Sequence, residues 1–161
     1  MKTVILFRHA RTKSDYFGKD HDHPLDITGI LDAKRIGKYL SENNQLPDLV
    51  ISSSALRAIT TAENAMIKGK WPCPLKLDSS IYRGEPFFLL NLINRQDDEL
   101  SSICLVGHEP NISAFISLAT ARKKIKFSKG SMARIDFYVQ RWNDVTMGMG
   151  NFCWQINPDD K

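Results

Sequence analysis

The chain has 161 residues, 42% of them hydrophobic and 25% charged, with a net charge of +4 and a pI of about 9.0. That size suits one domain with a full core, taken as residues 1–161, and the balance is that of a soluble globular protein. The mild positive charge favours anionic ligands, but the densest basic run, Arg122-Lys123-Lys124-Ile125-Lys126, reads as a solvated surface stretch, so neither a nucleic acid nor a membrane is the expected partner.

Cys73, Cys104 and Cys153 are odd in number, far apart and without CxxC spacing, which predicts reduced thiols in a cytoplasmic protein. No Cys/His cluster has the spacing of a zinc site, and neither a metal nor an organic cofactor is expected. The apolar run Val4–Phe7 is too short for a signal sequence, and no stretch reaches the length of a transmembrane helix.

Residues Thr3–Phe7 are apolar or β-branched without alternation, as in a strand buried on both faces. Residues 10–26 are polar and aperiodic and predict a long loop. Thr28 is the expected cap of a helix running to about Asn43, with Ile30, Ala33, Gly37 and Leu40 at helical spacing. Leu49-Val50-Ile51 is a second buried strand, and Ser52-Ser53-Ser54 stops it and offers a cap to the next helix. That helix carries Ala55, Ile59, Ala62 and Met66 as its stripe and ends at Lys68-Gly69-Lys70. A short strand is expected near Leu75–Leu77, and a helix starts at Pro86. Ser102–Val106 reads as another buried strand, with Pro110 opening a helix whose inner face holds Ile112, Phe115, Ile116 and Ala119. Met132–Arg141 and Val145–Ile156 alternate more, and with Trp142-Asn143-Asp144 between them they predict a β-hairpin. The implied fold class is α/β: a three-layer α/β/α sandwich whose mostly parallel sheet carries a C-terminal hairpin.

Ligands in such sheets bind beyond the carboxyl ends of the strands. Arg8-His9, Ser52–Ser54 with Arg57, and Gly107-His108 all follow predicted strands. Two guanidinium forks, Arg8 and Arg57, suit the three oxygens of a phosphoryl group, and the start of a helix at Arg57 adds N–H donors. His9 is the candidate nucleophile, attacking phosphorus through a neutral ring nitrogen while the other nitrogen donates to a backbone carbonyl. The flanking arginines should lower its pKa. His108, when protonated, would donate to a phosphate oxygen.

Arg8-His9-Ala10, Pro24-Leu25 with Thr28-Gly29, Ser53-Ser54-Ala55-Leu56-Arg57-Ala58 with Thr61-Ala62, and Val106-Gly107-His108-Glu109-Pro110 occur in this order. The set resembles the histidine phosphatase (phosphoglycerate mutase-like) superfamily. The short length, the run Asp20–Leu25 and the spacing from His9 to His108 resemble its SixA-type phosphohistidine phosphatases. The resemblance implies that His9 takes the phosphoryl group, that Arg8, Arg57 and His108 bind it, and that the backbone amide of Ser131 touches phosphate. It also implies hydrolysis without a metal.

Two departures stand out. Ala10 replaces a common glycine, and the segment Ile81-Tyr82-Arg83-Gly84-Glu85 lacks the family's acid in its usual setting. Glu85 is a possible substitute, and Asp20, His21, Asp22 or His23 could supply a proton from the loop. A labile P–N bond needs less acid assistance than an ester. The expected substrate is therefore phosphohistidine on a phosphotransfer or signalling protein. The alternatives are a small phosphate ester, or a phosphate-binding module with little turnover.

Overall fold

The computed structural model describes residues 1–160. The first strand, β1 (Lys2–Arg8), is buried along its length, and its side chains divide between two cores. Val4 and Leu6 enter one hydrophobic cluster, Ile5 and Phe7 the other. This double burial is why β1 reads as a continuous apolar run.

Among the described residues six strands form one sheet, in the order β3-β2-β4-β1-β5-β6, with β2 at Leu49–Ser52, β3 at Leu75–Leu77, β4 at Ser102–Gly107, β5 at Met132–Phe137 and β6 at Asn151–Ile156. The first four are mutually parallel, and β5 runs antiparallel to both of its neighbours, β1 and β6. Helices α1 (Ile27–Glu42) and α2 (Leu56–Gly69) cover one face, and α3 (Pro86–Asn94) and α4 (Asn111–Thr120) the other. The expected three-layer α/β/α arrangement is the one observed. Among the described residues no helix is long and apolar enough to cross a membrane.

Local details correct several expectations. Asp26, not Thr28, caps α1: its carboxylate accepts from the Gly29 amide at 2.7 Å, and Thr28 is an exposed residue inside the first turn. The start of α2 has no side-chain cap on its N-cap residue, Ala55; Ser53 Oγ instead accepts from the Ala55 amide just before the helix. The buried stripe of α2 is Ala58, Thr61, Ala62, Ala65 and Gly69, rotated from the predicted one. These small residues let α2 approach α1 closely. A Cβ on Gly37 would come within 2.1 Å of the Ala65 carbonyl oxygen, and one on Gly69 within 2.3 Å of the Gly37 carbonyl oxygen. Gly69 is therefore required for contact, while the left-handed C-cap is Lys70, at φ 53°.

The C-terminal hairpin is real but shorter in its strands than predicted. Residues 138–150 link β5 to β6 and contain a 3-10 turn at Trp142–Asp144. Trp142 leaves the hairpin and plugs the core under α3 and α4, with its indole N–H donating to the Leu100 carbonyl at 2.9 Å. The alternating pattern past Phe137 belongs to this connection and not to a strand.

A candidate phosphoryl-transfer site

The sheet register sets the site. Arg8 lies opposite Gly107 across the β1–β4 pair, and Ser52 lies opposite Val106 across β2–β4. The His9 amide donates to the Gly107 carbonyl at 3.0 Å, and the Ser53 amide to the Val106 carbonyl at 2.9 Å. Three neighbouring parallel strands thus end at one level, and each releases its next residue, His9, Ser53 or His108, at the same edge.

His9 and His108 are both buried, with ring centroids 5.4 Å apart. His9 Nδ1 lies 2.8 Å from the Ala10 carbonyl oxygen. A carbonyl can only accept, so Nδ1 carries the proton and Nε2 keeps its lone pair. Burial pulls the His9 pKa down to about 3; the Ala10 hydrogen bond opposes this, and His108, Arg57 and Arg8 lower it further. The predicted direction is correct, but desolvation outweighs the arginine charges as its cause. The ring remains neutral across the physiological range.

His108 is lowered to about 4, again mainly by burial, with Arg57 next and Asp20 opposing. Its Nε2 is 2.8 Å from Ser53 Oγ, and its Nδ1 is buried without a partner. Arg8 donates through Nη1 to the Phe127 carbonyl at 2.9 Å, whereas its Nε is buried with no acceptor. An unsatisfied buried donor costs about 1–3 kcal/mol, so the Arg8 Nε–H favours an incoming acceptor atom.

Arg57 is the second residue of α2, with its side chain largely enclosed. Both terminal nitrogens engage Asp20: Nη1 donates to its carbonyl at 2.8 Å and Nη2 to its carboxylate at 3.1 Å. The Asp20 carboxylate also accepts from the Tyr82 hydroxyl, which together with Arg57 lowers its pKa. Thr61 ties α2 to the end of β1, accepting from the Ala10 amide at 2.9 Å and donating to the Arg57 carbonyl at 2.7 Å. The methyl of Ala10, where a glycine is common, packs with Leu25 and Ala33.

Of the residues expected from the sequence, Arg8, His9, Arg57 and His108 come together. Glu85 does not join them: it is the exposed N-cap residue of α3, its carbonyl accepting from the Leu89 amide at 3.1 Å, and its carboxylate makes no hydrogen bond or ion pair among the described residues. Ser131 is corrected as well. Its amide donates to the Ser128 carbonyl at 3.0 Å, its hydroxyl donates to Asn157 at 2.8 Å, and it is fully buried, so no free amide faces an anion. Its carbonyl accepts from the Arg8 amide, which makes it a support for β1.

In the 20–23 loop the side chains diverge. Asp20 holds Arg57, His21 Nε2 meets Ser54 Oγ at 2.9 Å, and His23 Nε2 donates to the Lys13 carbonyl. Among the described residues no group of three or more His, Cys, Asp or Glu is placed to hold a metal ion. Sequence reasoning missed Tyr82 and the Ser53–His108 contact. Ser53 carried a signal, since it directly follows a strand in the same motif as Arg57.

The family model for the histidine phosphatase superfamily (branch 1) matches residues 4–81, which contain Arg8, His9 and Arg57 and stop before His108. Over those residues the chain is similar to the histidine phosphatase superfamily. It is 34% identical over 107 residues to the Mycobacterium tuberculosis protein Rv1276c, a match covering 66% of this chain and 65% of that protein's length. Among solved structures, a candidate phosphohistidine phosphatase SixA from Nakamurella multipartitia superposes with a TM-score of 0.85 at 22% identity, covering 98% of this chain and 96% of that one. The protein histidine phosphatase SixA complexed with tungstate gives 0.81 at 20% identity, covering 98% of each chain. A mycobacterial glucosyl-3-phosphoglycerate phosphatase complexed with VO3 gives 0.73 at 13% identity, covering 96% of this chain and 99% of that one. At these identities the structural likeness establishes the fold.

Proposed function

We propose that residues 1–161 form one domain that hydrolyses phosphohistidine on a partner protein, through a phosphoryl group carried transiently on His9. The observation that carries this reading is the Nδ1–H donated by His9 to the Ala10 carbonyl, in a ring kept neutral by burial beside Arg8, Arg57 and His108.

The chemistry follows from that tautomer. The Nε2 lone pair forms a bond to phosphorus while the P–N bond of the substrate breaks. If the substrate imidazole carries a proton on its distal nitrogen, it departs as neutral imidazole and needs no further proton. Phosphorylated His9 is in the same condition, because the Ala10 carbonyl holds its Nδ1–H in place. Water then bonds to phosphorus, the P–Nε2 bond breaks, the water proton passes to solvent, and His9 returns neutral. Arg8 and Arg57 supply the positive charge over the phosphoryl oxygens, so we read the reaction as needing no metal or cofactor. The arriving dianion raises the His108 pKa, which allows that ring to take up a proton and donate.

A small phosphate ester is the second reading, since a phosphatase with a sugar-phosphate name shares the fold. An ester needs a proton for its leaving oxygen, and Glu85 stands apart from the His9 cluster. That observation favours the phosphoramidate.

The protein, given a phosphohistidine donor carrying labelled phosphate, is expected to acquire acid-labile, base-stable label at His9. His9→Ala should lose both label and turnover, by at least about a thousandfold. Full turnover by His9→Ala would falsify the mechanism.

A further inference from the structure

A row of aromatic rings leads outward from the nucleophile. His108 lies 5.4 Å from His9, Tyr82 lies 5.5 Å beyond His108 in an edge-on contact at 69°, and His21 lies 5.0 Å beyond Tyr82 at 81°. Burial decreases along the row, from the buried histidines to the half-exposed Tyr82 and His21. The Tyr82 ring is held in place. Its hydroxyl donates to the Asp20 carboxylate, and the guanidinium carbons of Arg57 and Arg83 lie 5.8 Å and 5.7 Å from its centroid. Asp20 in turn is bonded to Arg57. The ring is therefore fixed to the phosphate-binding arginine from two directions, an arrangement not needed to bind phosphate alone.

In an in-line transfer the leaving group sits across phosphorus from the nucleophile, here toward the rim of the site. We propose that Tyr82, with His21 beside it, is a specificity-determining residue whose ring receives the flat imidazole of the substrate, while the neighbouring Asp20 carboxylate favours a leaving ring that carries an N–H. This rests on the phosphohistidine reading and narrows it. A ring such as a phenol would meet the same aromatic wall, but it would depart as an anion against the Asp20 carboxylate. An ammonia leaving group would meet no ring at all. The chemistry selects a protonated aromatic nitrogen heterocycle over both.

The test compares kcat/KM for phosphoimidazole with that for phosphoramidate, which has the same P–N bond and no ring. In Tyr82→Leu the ratio should fall about tenfold, the scale of one or two lost ring contacts. In Tyr82→Phe, which keeps the ring, it should stay within about twofold. His21→Ala should lower it about threefold, and this variant carries the test if Tyr82→Leu does not fold. A ratio unchanged in the folded variants overturns the role of Tyr82. Failure of the unmodified protein to place label on His9 from either compound removes the phosphohistidine reading itself, and the two failures are distinct.

Discussion

At the scale of the residue, His9 and His108 are buried and lowered in pKa mainly by burial, but their hydrogen bonds differ. His9 is held by a carbonyl, which fixes its proton; His108 is held by a hydroxyl that also accepts from the Ala55 amide. Ser53 is thus a positioning residue for His108. In Ser53→Ala, kcat/KM is expected to fall roughly tenfold, the equivalent of one ordinary hydrogen bond. The His108 titration, followed by NMR, should move up toward its ordinary value as water reaches the ring. Unchanged activity together with an unchanged titration would remove Ser53 from this role. Arg8, His9, Arg57 and His108 were legible in the sequence because each ends a strand or follows one within a few residues, so local order sufficed to place them. Tyr82 and its contact with Asp20 were not, since that contact joins positions separated by 62 residues and depends on how two loops fold. Glu85 shows the reverse error: its place in the sequence suggested an acid, and its place on α3 is an exposed cap.

At the scale of the element, the α1–α2 contact is decided by two glycines. Alanine is favoured over glycine inside a helix by about 0.5–1 kcal/mol, so Gly37→Ala would stabilise an isolated α1. Here the added methyl would overlap backbone at 2.1 Å, and overpacking of this kind costs about 1–3 kcal/mol. Packing wins, and Gly37→Ala is expected to lower the urea midpoint with little change in the denaturant slope; a raised midpoint would contradict the close contact. Helical periodicity located α1, α2 and α4, but it could not resolve the α2 stripe, because alanines and a threonine do the packing there while the larger Ile59 and Met66 are only half-buried. The caps were misassigned for a related reason. Thr28, Asp26 and the serines at 52–54 are all competent acceptors, and only backbone geometry selects among them.

At the scale of the whole molecule, the buried histidines set the response to acid. In the unfolded chain both have a pKa of 6.5, whereas in the folded protein they stay neutral down to about 4 for His108 and about 3 for His9. Between these limits the unfolded state binds more protons, so stability decreases as pH falls below 6.5 and levels off only past the folded values. At about pH 5 each ring contributes a loss of about 2 kcal/mol. The Tm should therefore drop between about pH 7 and about pH 5, and a His9→Asn, His108→Asn double variant should show a shallower drop. Equal slopes in the two proteins would contradict the burial argument. The fold itself was largely readable from strand–helix alternation. The strand order was not, because β1 pairs with β4 and β5, which lie far along the chain.

That strand order has a consequence for how such a molecule can change. The groups proposed to face phosphorus stand at the ends of inner strands β1 and β4 or on the first turn of α2, all elements anchored in the two cores. The groups at the rim, Asp20, His21 and Tyr82, come from the 10–26 connection and the turn at Ser79–Arg83, neither of which contributes a strand to the sheet. On the proposed reading, bond-breaking groups and substrate choice therefore lie on separate pieces of chain. The second piece can be exchanged, shortened or grafted while the first stays as it is.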